Sequence, residues 1–90
     1  MNVPGGIVDT VLPNDVRRFY KNQLESYKKI VCIFNTKMQI VAGTLYYFDV
    51  VVHNKRKCKF RIYHVVILSQ LTNYPKYIIQ EKNKICEFRG

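Results

Sequence analysis

The stretch NDVRRFYKNQLESYKKIVCIFNTKMQIVAGTLYYFDVVVH, residues 14–53, decides the fold because its hydrophobic period changes along its length. Apolar side chains first recur every three or four residues, which predicts one amphipathic helix of about four turns. These side chains are Val16, Phe19, Tyr20, Leu24 and Tyr27. After Lys29 the period drops to two, and the β-branched and aromatic residues there predict strands. Asn14 or Asp15 is expected to cap the helix.

The period of two continues along the rest of the chain and predicts four strands, at about residues 30–40, 44–53, 58–67 and 76–86. Because one helix cannot cover both faces of a sheet, we expect an antiparallel meander with its apolar face against the helix. The predicted fold class is α+β, in a single domain over residues 1–90. Residues 1–13 are expected to form a flexible arm outside the core, with a short edge strand around Ile7 and Val8.

The chain is strongly basic, with fifteen Lys and Arg against six Asp and Glu and a formal net charge of +9. The charges are scattered, and the short block 55–57 is best explained as a solvated turn between strands. A basic surface-binding module acting through 55–57 stays open as an alternative, but no RNA-binding motif or finger spacing indicates nucleic acid. No stretch approaches the roughly 20 apolar residues of a membrane span. Residues 1–6 lack the apolar run of a signal peptide, so either the protein is made without one or a precursor has been cut.

Residues that could perform catalysis are few and do not cluster. His53 and His64 are the only histidines, and they fall in no hydrolase, metalloprotease or nucleotide-binding motif. The six acidic residues are spread over the arm, the helix and the strands, which gives no carboxylate pair. His64 alternates with apolar neighbours in a strand and is expected to be structural. We therefore expect no enzyme activity, no cofactor and no metal site.

Three apolar segments with little charge stand out in this lysine-rich chain: Gly5-Gly6, 39–43 and 66–68. Each has a plain structural explanation, namely arm flexibility, an ordinary hairpin and the end of a strand. Alternate turns of a meander lie at the same end of the sheet, and the arm can reach that end too. Together the segments predict a narrow apolar wedge that is suited to a cleft.

The segment Gln39-Ile40-Val41-Ala42-Gly43 resembles the first inhibitory loop of the cystatins and stefins, whose pattern is Gln-x-Val-x-Gly. Gly5-Gly6 resembles the N-terminal glycine of that family, and the helix from Asp15 matches in position. Residues 43–50 look like the strand that follows the loop, and 58–63 resemble the penultimate strand of secreted cystatins. The resemblance covers nearly all of the chain and implies the cystatin fold, a curved antiparallel sheet of four to five strands wrapped around one long helix.

The resemblance implies a reversible, tight-binding competitive inhibitor of papain-like cysteine proteases such as cathepsins. The arm and two hairpin loops would occlude the protease cleft without presenting a scissile bond. The residues that the resemblance assigns to this contact are Val3, Pro4, Gly5, Gly6, Gln39, Ile40, Val41, Ala42, Gly43, Val66 and Ile67. A bulky residue at Gly43 is then expected to weaken binding while the fold survives. The alternative is a cystatin-fold interaction protein that has lost protease inhibition, because the second loop lacks the Pro-Trp pair of secreted members.

The cysteines bear on compartment and stability. Cys58 and Cys86 fall where secreted cystatins join their last two strands, so the resemblance implies a disulfide bond and an extracellular location. If both are reduced, a cytoplasmic, stefin-like protein is the alternative. Cys32 is expected to be a buried small hydrophobic residue. We expect a monomer, with a dimer formed by exchange of elements as the alternative.

Overall fold

The computed structural model describes the backbone of residues 6–89 and the side chains of residues 6–82. The elements, in chain order, are β1 (Ile7–Asp9), α1 (Asn14–Gln23), β2 (Lys28–Val41), β3 (Gly43–Asn54), β4 (Lys59–Ser69) and β5 (Tyr77–Arg89). The five strands form one antiparallel sheet in sequence order. This confirms the α+β class and the meander, and each long strand ends within three residues of its predicted bounds. The described residues contain no helix long and apolar enough to cross a membrane.

The hydrophobic core lies between α1 and one face of the sheet. The Tyr20 ring of α1 packs edge-on against Phe48 of β3, with the ring centroids 5.4 Å apart. Its hydroxyl donates a hydrogen bond to Glu81 Oε2 of β5 at 2.8 Å. The other fully buried side chains of this core are Val16, Val50, Val65 and Ile67. Burial of each large apolar side chain contributes roughly 1.5–3 kcal/mol, so this face fixes the helix on the sheet.

The helix α1 is shorter than the predicted four turns, because it has only ten residues. Its C-cap residue, Leu24, adopts an extended backbone with φ −82° and ψ 143°. Residues 25–27 connect the helix to β2. The carbonyl of Tyr27 accepts a hydrogen bond from the Lys55 amide at 2.9 Å. Leu24 and Tyr27 therefore continue the apolar spacing outside the helix, and the expectation of one long helix is wrong.

The start of α1 also differs from the expected cap. Pro13 occupies the N-cap position and forms no side-chain cap hydrogen bond, while Asn14 is the first helical residue. Asp15 instead accepts a hydrogen bond from the Tyr77 hydroxyl at 2.6 Å, which joins the first turn of α1 to β5. This contact raises the pKa of the Tyr77 phenol, because the hydrogen bond to the carboxylate requires the protonated form.

The segment before α1 belongs to the fold. The predicted edge strand at Ile7 and Val8 is confirmed as β1, which pairs with β2 from Ile7 opposite Gln39. Leu12 is buried in the core with 8% of its surface exposed. The expectation that residues 1–13 form an arm outside the core is therefore wrong for Leu12, whereas the residues of β1 are exposed. Residues 1–5 lie outside the described residues.

Candidate functional site

Three segments meet at one end of the sheet. The turn between β2 and β3 contains a single residue, Ala42, because Val41 pairs with Gly43. The loop between β4 and β5 starts beside this turn, since Ser69 pairs with Thr44. The chain enters β1 at the same end, because Ile7 pairs with residue 39 of β2. We call residues 6–8, 40–43 and 70–75 the apolar end.

The apolar end exposes large hydrophobic side chains. Ile40 is 54% exposed, Val41 41%, Leu71 85% and Tyr74 91%. None of residues 6–8, 40–43 and 70–75 is charged, although the chain has fifteen basic and six acidic residues. Several exposed apolar side chains at one end of a small protein are typical of an interaction site.

The loop at residues 70–76 is closed by its own hydrogen bonds. The Gln70 amide donates to the Lys76 carbonyl at 2.7 Å, and Lys76 Nζ donates to the Gln70 carbonyl at 2.7 Å. Gln70 Nε2 also donates to the carbonyl of Pro75 at 2.6 Å, and the peptide bond before Pro75 is cis. Because its two ends are tied together, the loop holds Leu71 and Tyr74 at its surface.

Gly43 joins the turn to this loop through backbone contact. It is buried, and its φ of +113° is a conformation that side chains with a Cβ rarely adopt. A Cβ at this position would lie 2.4 Å from the carbonyl oxygen of Ser69 and 3.3 Å from Cα of Gln70. Because the contacted atoms belong to the backbone, we now expect a bulky residue here to destabilise the fold, in contrast to the expectation from the sequence.

The structure brings part of the predicted protease-binding set together at the apolar end. Gly6, Ile40, Val41 and Ala42 are exposed there. Gln39 is partly buried and accepts a hydrogen bond from the Tyr47 hydroxyl at 2.7 Å, so its side chain supports the base of the turn. The predicted residues Val3, Pro4 and Gly5 lie outside the described residues.

Val66 and Ile67 do not belong to the second loop. Both lie within β4, where Val66 pairs with Tyr47 and Ile67 with Tyr46. Ile67 has no exposed surface and is part of the core, so it cannot contact a partner. The second loop consists of residues 70–76, most of which fall in the gap that the turn formers Asn73 and Pro75 predict between the strands at 58–67 and 76–86. The loop was therefore expected, but its residues were missed as contact residues because the contact was assigned to 66–67.

Comparison with protein-family models, curated proteins and solved structures gives no significant match to this chain. The roles of the residues at the apolar end therefore depend on their geometry and on the sequence pattern at 39–43. That geometry is a one-residue turn beside a closed loop, with exposed apolar side chains and no charge.

The expected disulfide bond between Cys58 and Cys86 is not present. Cys58 is an exposed free thiol and the last residue of the turn between β3 and β4, with a backbone φ of 51°. Lys59 pairs with Arg89 and Arg61 with Glu87, so the backbone of Cys86 lies about four residues, or ~13 Å, along the strand from the position opposite Cys58. A disulfide bond requires Cα atoms within about 7 Å. The side chain of Cys86 lies outside the described ones.

Cys32 was expected to be buried and is exposed. The pairing of β2 with β3 shifts between Ile30 and Cys32, because Ile30 pairs with Val52 and Cys32 with Val51. Val31 is the extra residue of this β-bulge, and it is itself 53% exposed. The bulge changes the alternation that the sequence pattern assumed, so the side chain of Cys32 does not enter the core.

His64 lies on the sheet face opposite α1 and has a structural partner. Its Nδ1 is 2.9 Å from Asp49 Oδ1, and the Asp49 side chain is almost fully buried. Asn35, at a second irregularity of β2 with φ 51°, donates to the other Asp49 oxygen at 3.1 Å. The three side chains connect β2, β3 and β4, which is the structural role predicted for His64.

Proposed function

We propose that this protein is a reversible, tight-binding competitive inhibitor of papain-like cysteine proteases and that its sheet and helix form a cystatin fold. The observation that carries the proposal is the apolar end, where the Gln-x-Val-x-Gly segment ends β2, makes the turn and begins β3. The loop at 70–75 lies directly beside this turn, and both present uncharged, exposed side chains. This surface suits a narrow groove that is lined by backbone and apolar subsites.

The geometry of the turn explains how it would occupy a protease cleft without being cleaved. A substrate must lie extended across the catalytic centre, whereas residues 41–43 reverse the chain within a single residue. Gly43 contacts the backbone of Ser69, so the turn cannot open without disturbing β4. The rigid turn blocks access to the catalytic cysteine, and inhibition is reversible because no covalent bond forms.

The second loop lacks the Pro-Trp pair of secreted cystatins, but its Tyr74 supplies a large aromatic side chain. It is 91% exposed, and Leu71 of the same loop is 85% exposed. Tyrosine is frequent among the residues that dominate binding energy at protein interfaces. The hydrogen bonds between Gln70 and Lys76 hold the loop closed before binding, which lowers the entropy cost of association.

The test is a titration of active papain with the purified protein, with hydrolysis of a small peptide substrate as the readout. We expect loss of activity at equimolar inhibitor in the nanomolar range, and recovery of activity on dilution. Substitution Val41→Asp places a charge in the turn, and we expect it to raise the inhibition constant at least 100-fold. The matched control is Val31→Asp, which changes a valine of the same strand that is also exposed (53%, against 41% for Val41) but lies away from the apolar end.

Two results would contradict the proposal. The first is full papain and cathepsin activity at micromolar concentrations of the folded protein. The second is an equal loss of inhibition for Val41→Asp and Val31→Asp, which would show that the turn is not the contact surface. Circular dichroism and thermal unfolding of both variants check that the fold is retained.

A further inference from the structure

The end of the sheet opposite the apolar end is basic and contains a cavity of about 200 Å³. It is formed by the turn between β3 and β4, the start of β2 and the residues just before β2. The cationic side chains that line it are Lys28, Arg56, Lys57, Lys59 and Arg61. Its volume is below the roughly 300–1,000 Å³ of ordinary small-molecule pockets, so it suits one compact group.

The turn that carries Arg56 and Lys57 is held in a defined conformation. The side-chain oxygen of Asn54 accepts hydrogen bonds from the amides of Arg56 at 3.0 Å and Lys57 at 3.1 Å. The guanidinium of Arg56 lies over the Tyr27 ring, 4.1 Å from its centroid. The Tyr27 carbonyl in turn accepts a hydrogen bond from the Lys55 amide. The backbone of the turn and the guanidinium of Arg56 are therefore held in place before any ligand binds.

The cavity has an excess of positive charge. Glu25 forms a salt bridge with Lys28 at 3.0 Å, and this hydrogen bond raises the pKa of Lys28. Within residues 6–82, neither Arg56 nor Lys57 forms a salt bridge. Lys59 and Arg61 have interactions of their own. Glu25 also interacts electrostatically with Arg56. Lys28, Arg56 and Lys57 therefore share this one carboxylate within the described residues, and the recess keeps an excess of positive charge.

We infer that this cavity binds a sulfate or phosphate ester group of a soluble polyanion, through Lys28, Arg56 and Lys57. The guanidinium of Arg56 offers a planar set of donors that matches two oxygens of a tetrahedral anion. The ammonium groups of Lys28 and Lys57 add charge from two different chain segments. This site lies at the other end of the molecule from the apolar end, so it does not rest on the proposed protease inhibition.

Two other classes of anionic partner fit the site less well. Nucleobases bind on open aromatic faces, but the Tyr27 ring is covered by Arg56, and Phe60 stacks on His53 with the ring centroids 4.5 Å apart. A membrane surface is usually held by exposed apolar side chains beside the basic ones. The apolar residues lining this cavity are at least partly buried, and most of the exposed ones lie towards the apolar end.

The test is isothermal titration calorimetry of the whole protein at 150 mM NaCl with two probes, a heparin hexasaccharide and inositol hexakisphosphate. We expect saturable binding of at least one probe. The double variant Arg56→Gln/Lys57→Gln is expected to bind that probe at least tenfold more weakly, because charged hydrogen bonds are lost. The control Arg18→Gln/Lys82→Gln removes the same charge from residues outside the cavity and should change affinity less than threefold.

Each result of these titrations either supports or overturns the inference. Binding of the hexasaccharide alone supports it and identifies sulfate esters as the source of the anion, whereas binding of inositol hexakisphosphate alone supports it and identifies phosphate esters. Absence of binding up to 1 mM of both probes overturns it, as does an equal loss in the two double variants. Tighter binding to a 20-nucleotide single-stranded DNA or to phosphatidylserine vesicles than to both probes also overturns it. Inhibition of papain by Arg56→Gln/Lys57→Gln should equal that of the wild type, which separates this site from the apolar end.

Discussion

Substitution Gly43→Ala tests whether the turn at the apolar end is built on backbone contact. A residue with a Cβ at φ +113° carries about 1–3 kcal/mol of conformational strain. The added methyl group would also lie 2.4 Å from the Ser69 carbonyl oxygen, and forcing an atom into a packed site costs about 1–3 kcal/mol more. We therefore expect a loss of about 2–6 kcal/mol in the free energy of unfolding.

The assay is urea or thermal unfolding followed by far-ultraviolet circular dichroism. For a domain of this size, 1 kcal/mol corresponds to about 4–8 °C in the melting temperature, so Gly43→Ala should melt at least about 8 °C below the wild type. The neighbouring substitution Ala42→Ser is the control, because Ala42 is exposed and should tolerate one added oxygen. A melting temperature for Gly43→Ala within 2 °C of the wild type would refute the argument, since neither the strain nor the close contact would then exist.

Two further predictions concern Tyr20 and the cysteines. Burial, together with the hydrogen bond to Glu81, raises the pKa of the Tyr20 phenol well above its usual value. In the unfolded chain the Tyr20 phenol loses its proton near pH 10, whereas in the folded protein it stays protonated at that pH. Stability should therefore be retained below pH 10 and fall above it, by up to about 1.4 kcal/mol per pH unit from this group. Tyr20→Phe should show a smaller fall in urea unfolding between pH 9.5 and 11, and equal slopes for the two proteins would contradict the assignment. Cys32 and Cys58 should both react with a thiol reagent in the native protein without reductant, as located by mass spectrometry. Cys58→Ser should change the free energy of unfolding by less than about 1 kcal/mol, whereas loss of the expected disulfide bond would cost about 3–4 kcal/mol.

The strands could be predicted because their signal is local. A period of two in β-branched and aromatic residues indicates a strand wherever one face of the sheet packs against a core, as in β3 and β4. The length of α1 could not be predicted in the same way. Leu24 and Tyr27 continue the helical spacing, but the hydrogen bond from the Lys55 amide to the Tyr27 carbonyl links residues that are distant in sequence.

The errors at the candidate site come from register, which the apolar pattern fixes only in part. The apolar pattern of residues 66–68 is the same whether they end a strand or begin a loop. The pairing of Ser69 with Thr44 shows that they lie within β4. The expected disulfide bond was also an error of register, because the distance between Cys58 and Cys86 depends on the irregular pairing of β4 with β5. The turn at 41–43 was placed correctly, because glycine at a turn between two long strands is a strong local signal.

The high net charge does not conflict with an uncharged binding surface, because the two ends of the sheet are far apart. The twelve residues of β3 run from Gly43 at the apolar end to Asn54 at the basic cavity, a distance of ~35–40 Å at the usual rise of a strand. Salt at physiological concentration screens exposed charges beyond about 8 Å. The cations around residues 54–57 therefore exert little force on a partner at the turn, and changes at the two ends should be additive. A single sheet can in this way hold the proposed apolar contact surface and the proposed anion site without either changing the affinity of the other.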